Sequence, residues 1–189
     1  MSDSAIKGAC VRSVLDLLHQ EHSLEPILSG LAQREREIFS GGIVTAGWYP
    51  IESYLMLLDQ VVQHHQDQDL SFCYRLGRKV VADGLGTIYR IFVKLSTPTA
   101  VLKRAPMLWG MYFQGSVLEI FESAQGSVKL AVRESNRVTA AYCMSRLGGI
   151  HETLIAAKAQ NPLLSHPECR ASGATRCLFD LRWKEPNQG

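Results

Sequence analysis

The sequence predicts an α+β fold. A helical N-terminal part precedes a four-stranded antiparallel sheet, built as hairpin, long helix, hairpin and covered by helices. Three observations predict it. Apolar residues recur at helical spacing as far as Leu102, the pattern changes to strict alternation near Gln114, and two alternating pairs of runs flank one long helical stripe.

Taken in order, Val11, Val14, Leu15 and Leu18 form the first stripe. Ser23 and Pro26 end it and start the next helix, because serine caps and proline suits an early helical position. Ile27, Leu28, Leu31, Ile38 and Phe39 continue to the stop at Gly41-Gly42. Pro50 is expected at the start of a helix carrying Tyr54, Leu55, Leu57, Leu58, Val61 and Val62. The polar run from His64 to Asp69 marks its end. A third helix from Leu70 carries Phe72, Leu76, Val80 and Val81, with Gly77 inside it. A mid-helix glycine costs about 1 kcal/mol relative to alanine, so it predicts close helix packing. Gly84 and Gly86 loosen its end. The run from Ile88 to Leu95 fits helix or strand equally. Thr97-Pro98 starts another helix.

Beyond Gln114, Val117, Glu119 and Phe121 alternate with Leu118, Ile120 and Glu122; Ala124 to Gly126 turns the chain; and Val128, Leu130 and Val132 return it. Asn136 is the expected cap of a long helix through Tyr142, Leu147, Ile150, Leu154 and Ile155, with Asn161-Pro162 as its stop. A last hairpin spans 163–171 and 176–183. The expected organisation is a helical segment, 1–66, packed on an α+β domain, 67–183, with a polar tail, 184–189.

Composition removes several function classes. Apolar content of 46%, charge of 20% and a net charge of +2 over 189 residues describe an ordinary globular chain. Nucleic-acid binding needs a concentrated basic face, and the densest group here, Lys103 and Arg104 near Lys94, reads as a solvated helix face. No apolar run approaches the roughly 20 residues that span a bilayer. No secretory signal is visible, so the expected compartment is the cytoplasm, where close cysteines point to metal or redox chemistry before disulfides. Five cysteines is also an odd count. No phosphate-binding loop, dinucleotide fingerprint, nucleophile elbow or zincin helix is present, and Glu119 and Glu122 point to opposite faces of a strand.

The most informative stretch is the last hairpin. His166, Cys169 and Cys177 lie around a Ser-Gly-Ala turn, which brings two thiols and an imidazole to one end. This pattern, ECRASGATRCLF from Glu168 to Phe179, resembles the terminal Cys-x-x-x-Gly-x-x-x-Cys hairpin of the ligand-binding superfamily of 4-vinyl reductase-type sensors, haem nitric-oxide-binding domains and small TRAPP vesicle-tethering subunits. Phe72 to Leu85 (FCYRLGRKVVADGL) resembles its glycine-bearing helix, and Tyr142 to Lys158 its long helix between hairpins. The N-terminal part, with Trp48-Tyr49-Pro50 and Tyr54-Leu55, resembles an uncharacterised stand-alone subgroup found in myxobacteria.

The resemblance implies a ligand set. Phenol-sensing activators of this superfamily hold a structural zinc with a cysteine early on the long helix and three ligands on the last hairpin. The matching positions are Cys143, His166, Cys169 and Cys177, with histidine in place of a carboxylate. Three thiolates and one imidazole close a tetrahedral site, which suits a structural rather than a hydrolytic metal. Reduced, merely buried cysteines are the alternative, and a disulfide is a third. Haem is expected to be unlikely, because the Tyr-x-Ser-x-Arg porphyrin clamp of the haem-binding relatives is supplied neither by Tyr89-Arg90-Ile91 nor elsewhere. His64-His65 reads as solvated, His151 as a partly buried histidine, and Cys10 and Cys73 as packing residues.

The resemblance also places a ligand cavity between sheet and helices. Trp109, Tyr112, Phe113, Phe121 and Tyr142 are the aromatic residues expected there, against the alternative of ordinary core. Two functions follow. One is a non-enzymatic sensing or binding domain, homodimeric, taking a small apolar or aromatic ligand and signalling to a downstream protein partner. The other is an interaction scaffold of the TRAPP type with a closed or vestigial cavity. A cavity of about 300 Å³ or more favours the first.

Overall fold

The computed structural model describes residues 4–66, 68–84 and 96–185. The expectations for Ile88 to Leu95, Lys94, Gly86 and Tyr89-Arg90-Ile91 lie outside these residues. A helical half comes first: α1 (Gly8–Gln20), α2 (Leu24–Ser29), α3 (Gln33–Ser40), α4 (Ile51–His65) and α5 (Ser71–Gly84). Two short helices, α6 (Pro98–Lys103) and α7 (Ala105–Tyr112), lead into the sheet half. There the strands β4 (Ser116–Ala124), β5 (Ser127–Glu134), β6 (Gln160–Glu168) and β7 (Cys177–Lys184) form an antiparallel sheet in the order β4-β5-β7-β6, with the long helix α8 (Ala140–Ala156) between its two hairpins. The α+β class and the four-stranded sheet are as the alternation predicts.

A second sheet was not legible. Three short strands, β1 (Ala5–Lys7), β2 (Trp48–Pro50) and β3 (Phe113–Gln114), pair in the order β2-β1-β3. Segments of two or three residues are too short to show a period. Trp48 to Pro50 is therefore strand, and Pro50 is the residue before α4 rather than its first turn. The helix α7 was missed for a related reason: Ala105 to Tyr112 is apolar on every side and has no stripe.

Several boundaries differ from expectation: the strand expected at 163–171 is Gln160–Glu168, and the stripe from Ile27 to Phe39 is split between α2 and α3. The cap of α8 is Thr139, whose hydroxyl accepts from the Tyr142 N–H, while Asn136 is buried and donates its side-chain N–H to the Arg137 carbonyl. Asn161-Pro162 lies inside β6 and does not stop the helix. An edge strand tolerates Pro162 and Pro167 because one side of its backbone needs no ladder partner.

Gly77 does mark a close approach. A Cβ there would lie 1.6 Å from the Ser145 carbonyl oxygen, and one on Gly148 would lie 2.0 Å from that of Tyr74. So α5 and α8 meet backbone to backbone. Around this seam lie two apolar cores. One gathers α1, α4 and α5 around Leu18, Leu55, Leu58, Val61 and Leu76, and reaches Tyr142 of α8. The other lies between α8 and the inner sheet face, with Leu118, Leu130, Val132, Leu147, Phe179 and Trp183.

Candidate functional site

Two places on α8 carry chemistry. The first is its N-terminal turn. Cys143 sits one turn after the Thr139 cap and is buried against the sheet. On the closing hairpin, Cys169 begins a short 3-10 turn, Arg170–Ser172, that Gly173 ends in the left-handed region at φ 92°. Glycine adopts that conformation without a Cβ penalty. The turn folds Cys169 back over Cys177, the first residue of β7, and His166 on β6 completes the group. The ligand atoms of Cys143, His166, Cys169 and Cys177 all lie within 4.8 Å of one another.

The spacing suits a shared ion. Sulfur to sulfur, Cys143 is 3.6 Å from Cys177 and 3.7 Å from Cys169. Thiolates bound tetrahedrally at about 2.3 Å from one ion lie about 3.8 Å apart, whereas a disulfide brings them to about 2 Å. All five cysteines are free. A hydrogen bond from Cys143, together with His166, holds the Cys177 thiol down at about 4, while the same sharing pushes Cys143 up. His166 stacks flat on Phe179 at 4.4 Å, and its Nε2 is buried with no protein partner. A ring fixed by stacking with one nitrogen unpaired is what a ligand histidine requires.

The second place is a cavity of about 200 Å³ at the seam of the two cores. The helical half lines it with Ile6, Cys10, Tyr54 and Val80, and the sheet half with Leu102, Trp109, Leu118 and Leu130. Trp109, Tyr112, Phe113 and Tyr142 are at its wall. Phe121 is not. It lies at a register shift of β4, is 50% exposed, and sits under the Arg176 guanidinium at 4.3 Å. Its alternation puts it on the outer sheet face with Val117. Trp109 stacks on Phe113 at 4.2 Å, and its indole N–H donates to Ser116 Oγ at 2.8 Å, so that N–H orients the wall and not a ligand.

Sequence reasoning missed Arg146. It follows Tyr142 by one helical turn, on the buried stripe of α8, and is 6% exposed. Its two terminal nitrogens donate to the two Glu134 carboxylate oxygens at 2.7 and 2.6 Å, and its guanidinium lies 3.7 Å over the Tyr142 ring. Burial opposes the charge, but Tyr142 and Glu134 more than offset it, and the proton is held more tightly than usual. On the far side of Glu134, Arg170 donates to the Glu134 and Asn136 carbonyls at 2.9 and 3.1 Å. Arg170 directly follows Cys169, so the junction of β5 and α8 is clamped from both places. A charged residue on an apolar helical stripe was the available signal.

No protein-family model matches the chain, and no curated protein matches it. Solved structures do. An H-NOX protein from S. oneidensis in the Fe(II) ligation state is similar at TM-score 0.74 and 15% identity, over 97% of this chain and 100% of that one. The Fe(II) unliganded H-NOX protein from K. algicida gives 0.69 at 14%, over 97% and 100%. A structure from work on haem distortion in the H-NOX family gives 0.71 at 12%, over 97% and 98%. The fold is therefore that of H-NOX domains, the haem nitric-oxide-binding branch of the resemblance.

This corrects the cofactor expectation of zinc with haem unlikely. The proteins that share the fold are haem proteins, and a missing linear motif does not set haem aside. The reason is physical: a porphyrin site is assembled from side chains brought together by packing, and no short segment reports it. The described cavity wall includes one thiol, Cys10, and three phenols, Tyr54, Tyr112 and Tyr142, which are of the kinds that ligate haem iron, and it includes no histidine. Burial pushes Cys10 up to about 12 and raises Tyr54 and Tyr142, so all three keep their protons. A cavity of about 200 Å³ also lies below the usual range of about 300–1,000 Å³, and haem requires it to widen.

Proposed function

We propose that this chain is a non-enzymatic sensing domain that binds a small apolar ligand in the seam cavity and passes the signal to a partner protein. The observation that carries this reading is the cavity itself. It is lined almost wholly by carbon, and it joins the helical half to the sheet half, so a ligand there touches both. At about 200 Å³ the cavity falls short of the roughly 300 Å³ that favours binding over a scaffold, but one of about 150 Å³ lined by Leu, Ile and Phe holds a benzene ring, so there is room for a one-ring ligand. A scaffold of the TRAPP type calls instead for a closed interior. Titration of Trp fluorescence with a panel of aromatic and acyl compounds tests the reading. Saturable change in the native protein, lost in Trp109→Ala while the chain stays folded, supports it, and its absence across the panel contradicts it.

A second reading is supported by the fold neighbours. Haem in a widened cavity would make this a sensor of diatomic gas, with Cys10 or a phenol among Tyr54, Tyr112 and Tyr142 holding the iron. Haem would supply the gas-binding iron. Haemin belongs in the same panel. A Soret band of thiolate or phenolate character, weakened by Cys10→Ala or Tyr142→Phe, would favour this reading.

The cluster of Cys143, His166, Cys169 and Cys177 is proposed as a closed structural site for a thiolate-seeking metal ion, which ties α8 to the last hairpin. A homodimer in the cytoplasm is the proposed form. Light scattering at micromolar concentration checks the dimer, and a mass near 21.0 kDa contradicts it. The helical segment 1–66 is proposed to fold only with the remainder, since its core includes Phe72, Leu76 and Tyr142. No helix among the described residues is long and apolar enough to cross a membrane.

A further inference from the structure

A fold requires glycine in two circumstances: a backbone approach too close for a Cβ, or a left-handed φ. The seam shows the first. A Cβ on Gly77 or Gly148 would strike a carbonyl oxygen, and one on Gly149 would lie 3.2 Å from Val81 Cγ2. Gly173 shows the second, at φ 92°. Gly84, the last residue of α5, meets neither. It is helical and its φ is not positive. Among the described residues, the one atom within 4 Å of a Cβ there is the Tyr112 hydroxyl oxygen, at 3.7 Å. That is ordinary contact, so an alanine fits.

A helical glycine that packing does not require weakens its helix relative to alanine. What the missing side chain leaves is space. Gly84 and Tyr112 both line the cavity, so the volume that a side chain at 84 would fill belongs to it. Gly110 is the contrast. It also lies open within a helix, but it is exposed and is not part of the cavity wall. At about 200 Å³ the cavity is somewhat larger than the roughly 150 Å³ that holds a benzene ring. Trp109 and Phe113, stacked at 4.2 Å, give it a flat aromatic wall that suits a ring.

We propose that Gly84 determines ligand specificity: the cavity takes a single apolar ring carrying a short unbranched tail, the tail lies between Gly84 and Tyr112, and a side chain at 84 excludes it. This rests on the cavity being a ligand site.

Calorimetric titration with toluene, ethylbenzene, propylbenzene and butylbenzene, paired with thermal melting of the ligand-free chain, tests it. In Gly84→Ala the melting temperature is expected to rise by about 2 °C, the gain of a helical alanine over glycine in a chain of this size. The longest homologue that the native chain binds should weaken about tenfold, the effect of one surplus methyl group in an apolar site. Gly84→Leu should lose that homologue altogether. Gly110→Ala should raise the melting temperature by a similar amount and leave every affinity unchanged. Stability and affinity moving in opposite directions separate a ligand seat from a structural glycine, whose replacement lowers stability. A lower melting temperature in Gly84→Ala, or unchanged affinity for the longest homologue in Gly84→Ala and Gly84→Leu, overturns the assignment and leaves the cavity as a site. Failure of all four homologues to bind the native chain saturably overturns the cavity reading, and this inference with it.

Discussion

Cys143 and Arg146 are three residues apart on one helix, yet they serve opposite kinds of site. Cys143 closes a corner in which four ligand atoms already lie within 4.8 Å. Arg146 borders a space of about 200 Å³ that its own helix, the sheet and the N-terminal helices leave between them. The corner is tight and built of thiols and an imidazole, while the cavity is roomier and apolar. A closed set of four ligand atoms suits a structural role, and an apolar space between two cores suits a guest molecule.

The strongest way to break this contrast is to unbalance the pair between the two places. Glu134→Ala leaves the Arg146 charge buried alone and is expected to cost about 3–5 kcal/mol in denaturant unfolding, whereas Glu134→Leu with Arg146→Met should cost far less. Gly77→Ala comes next, at about 3 kcal/mol, because the new Cβ meets the Ser145 carbonyl at 1.6 Å and α5 must move off α8. Widening that seam should also alter ligand binding, since Gly77 and Ser145 both line the cavity. At the corner, chelation or Cys177→Ala is expected to lower the melting temperature by roughly 5 °C, the loss of about 2 kcal/mol of linked metal binding. The apolar ligand should then still bind if corner and cavity are separate sites. The smallest effect belongs to Phe121→Ala. It is expected within about 0.5 kcal/mol of the native protein and without change in ligand affinity, in contrast to Trp109→Ala.

The same contrast governs what the sequence shows. His166, Cys169 and Cys177 are rare residue types packed into one hairpin, so their chemistry is visible as spacing, and the family resemblance supplied Cys143. The cavity wall runs from Ile6 to Thr153 and consists mostly of residues that also build ordinary cores. Trp109 lines the space, whereas Phe121 shares the outward face of β4 with Val117. The hairpins and the long helix were legible because their periods persist over eight or more residues. The strands β1, β2 and β3 were not, because two or three residues carry no period and their pairing is decided by packing alone. Haem was set aside on a linear motif, and the fold shared with H-NOX proteins shows that such a test is too local.

Native mass spectrometry of protein purified without added ligand or metal tests the central claim, a filled cavity in a sensing domain, most directly. The account predicts a mass above the 21.0 kDa chain by a small organic molecule that leaves on mild activation, and loss of that increment in Trp109→Ala. A bare chain mass that none of the probe compounds or haemin increases would contradict it.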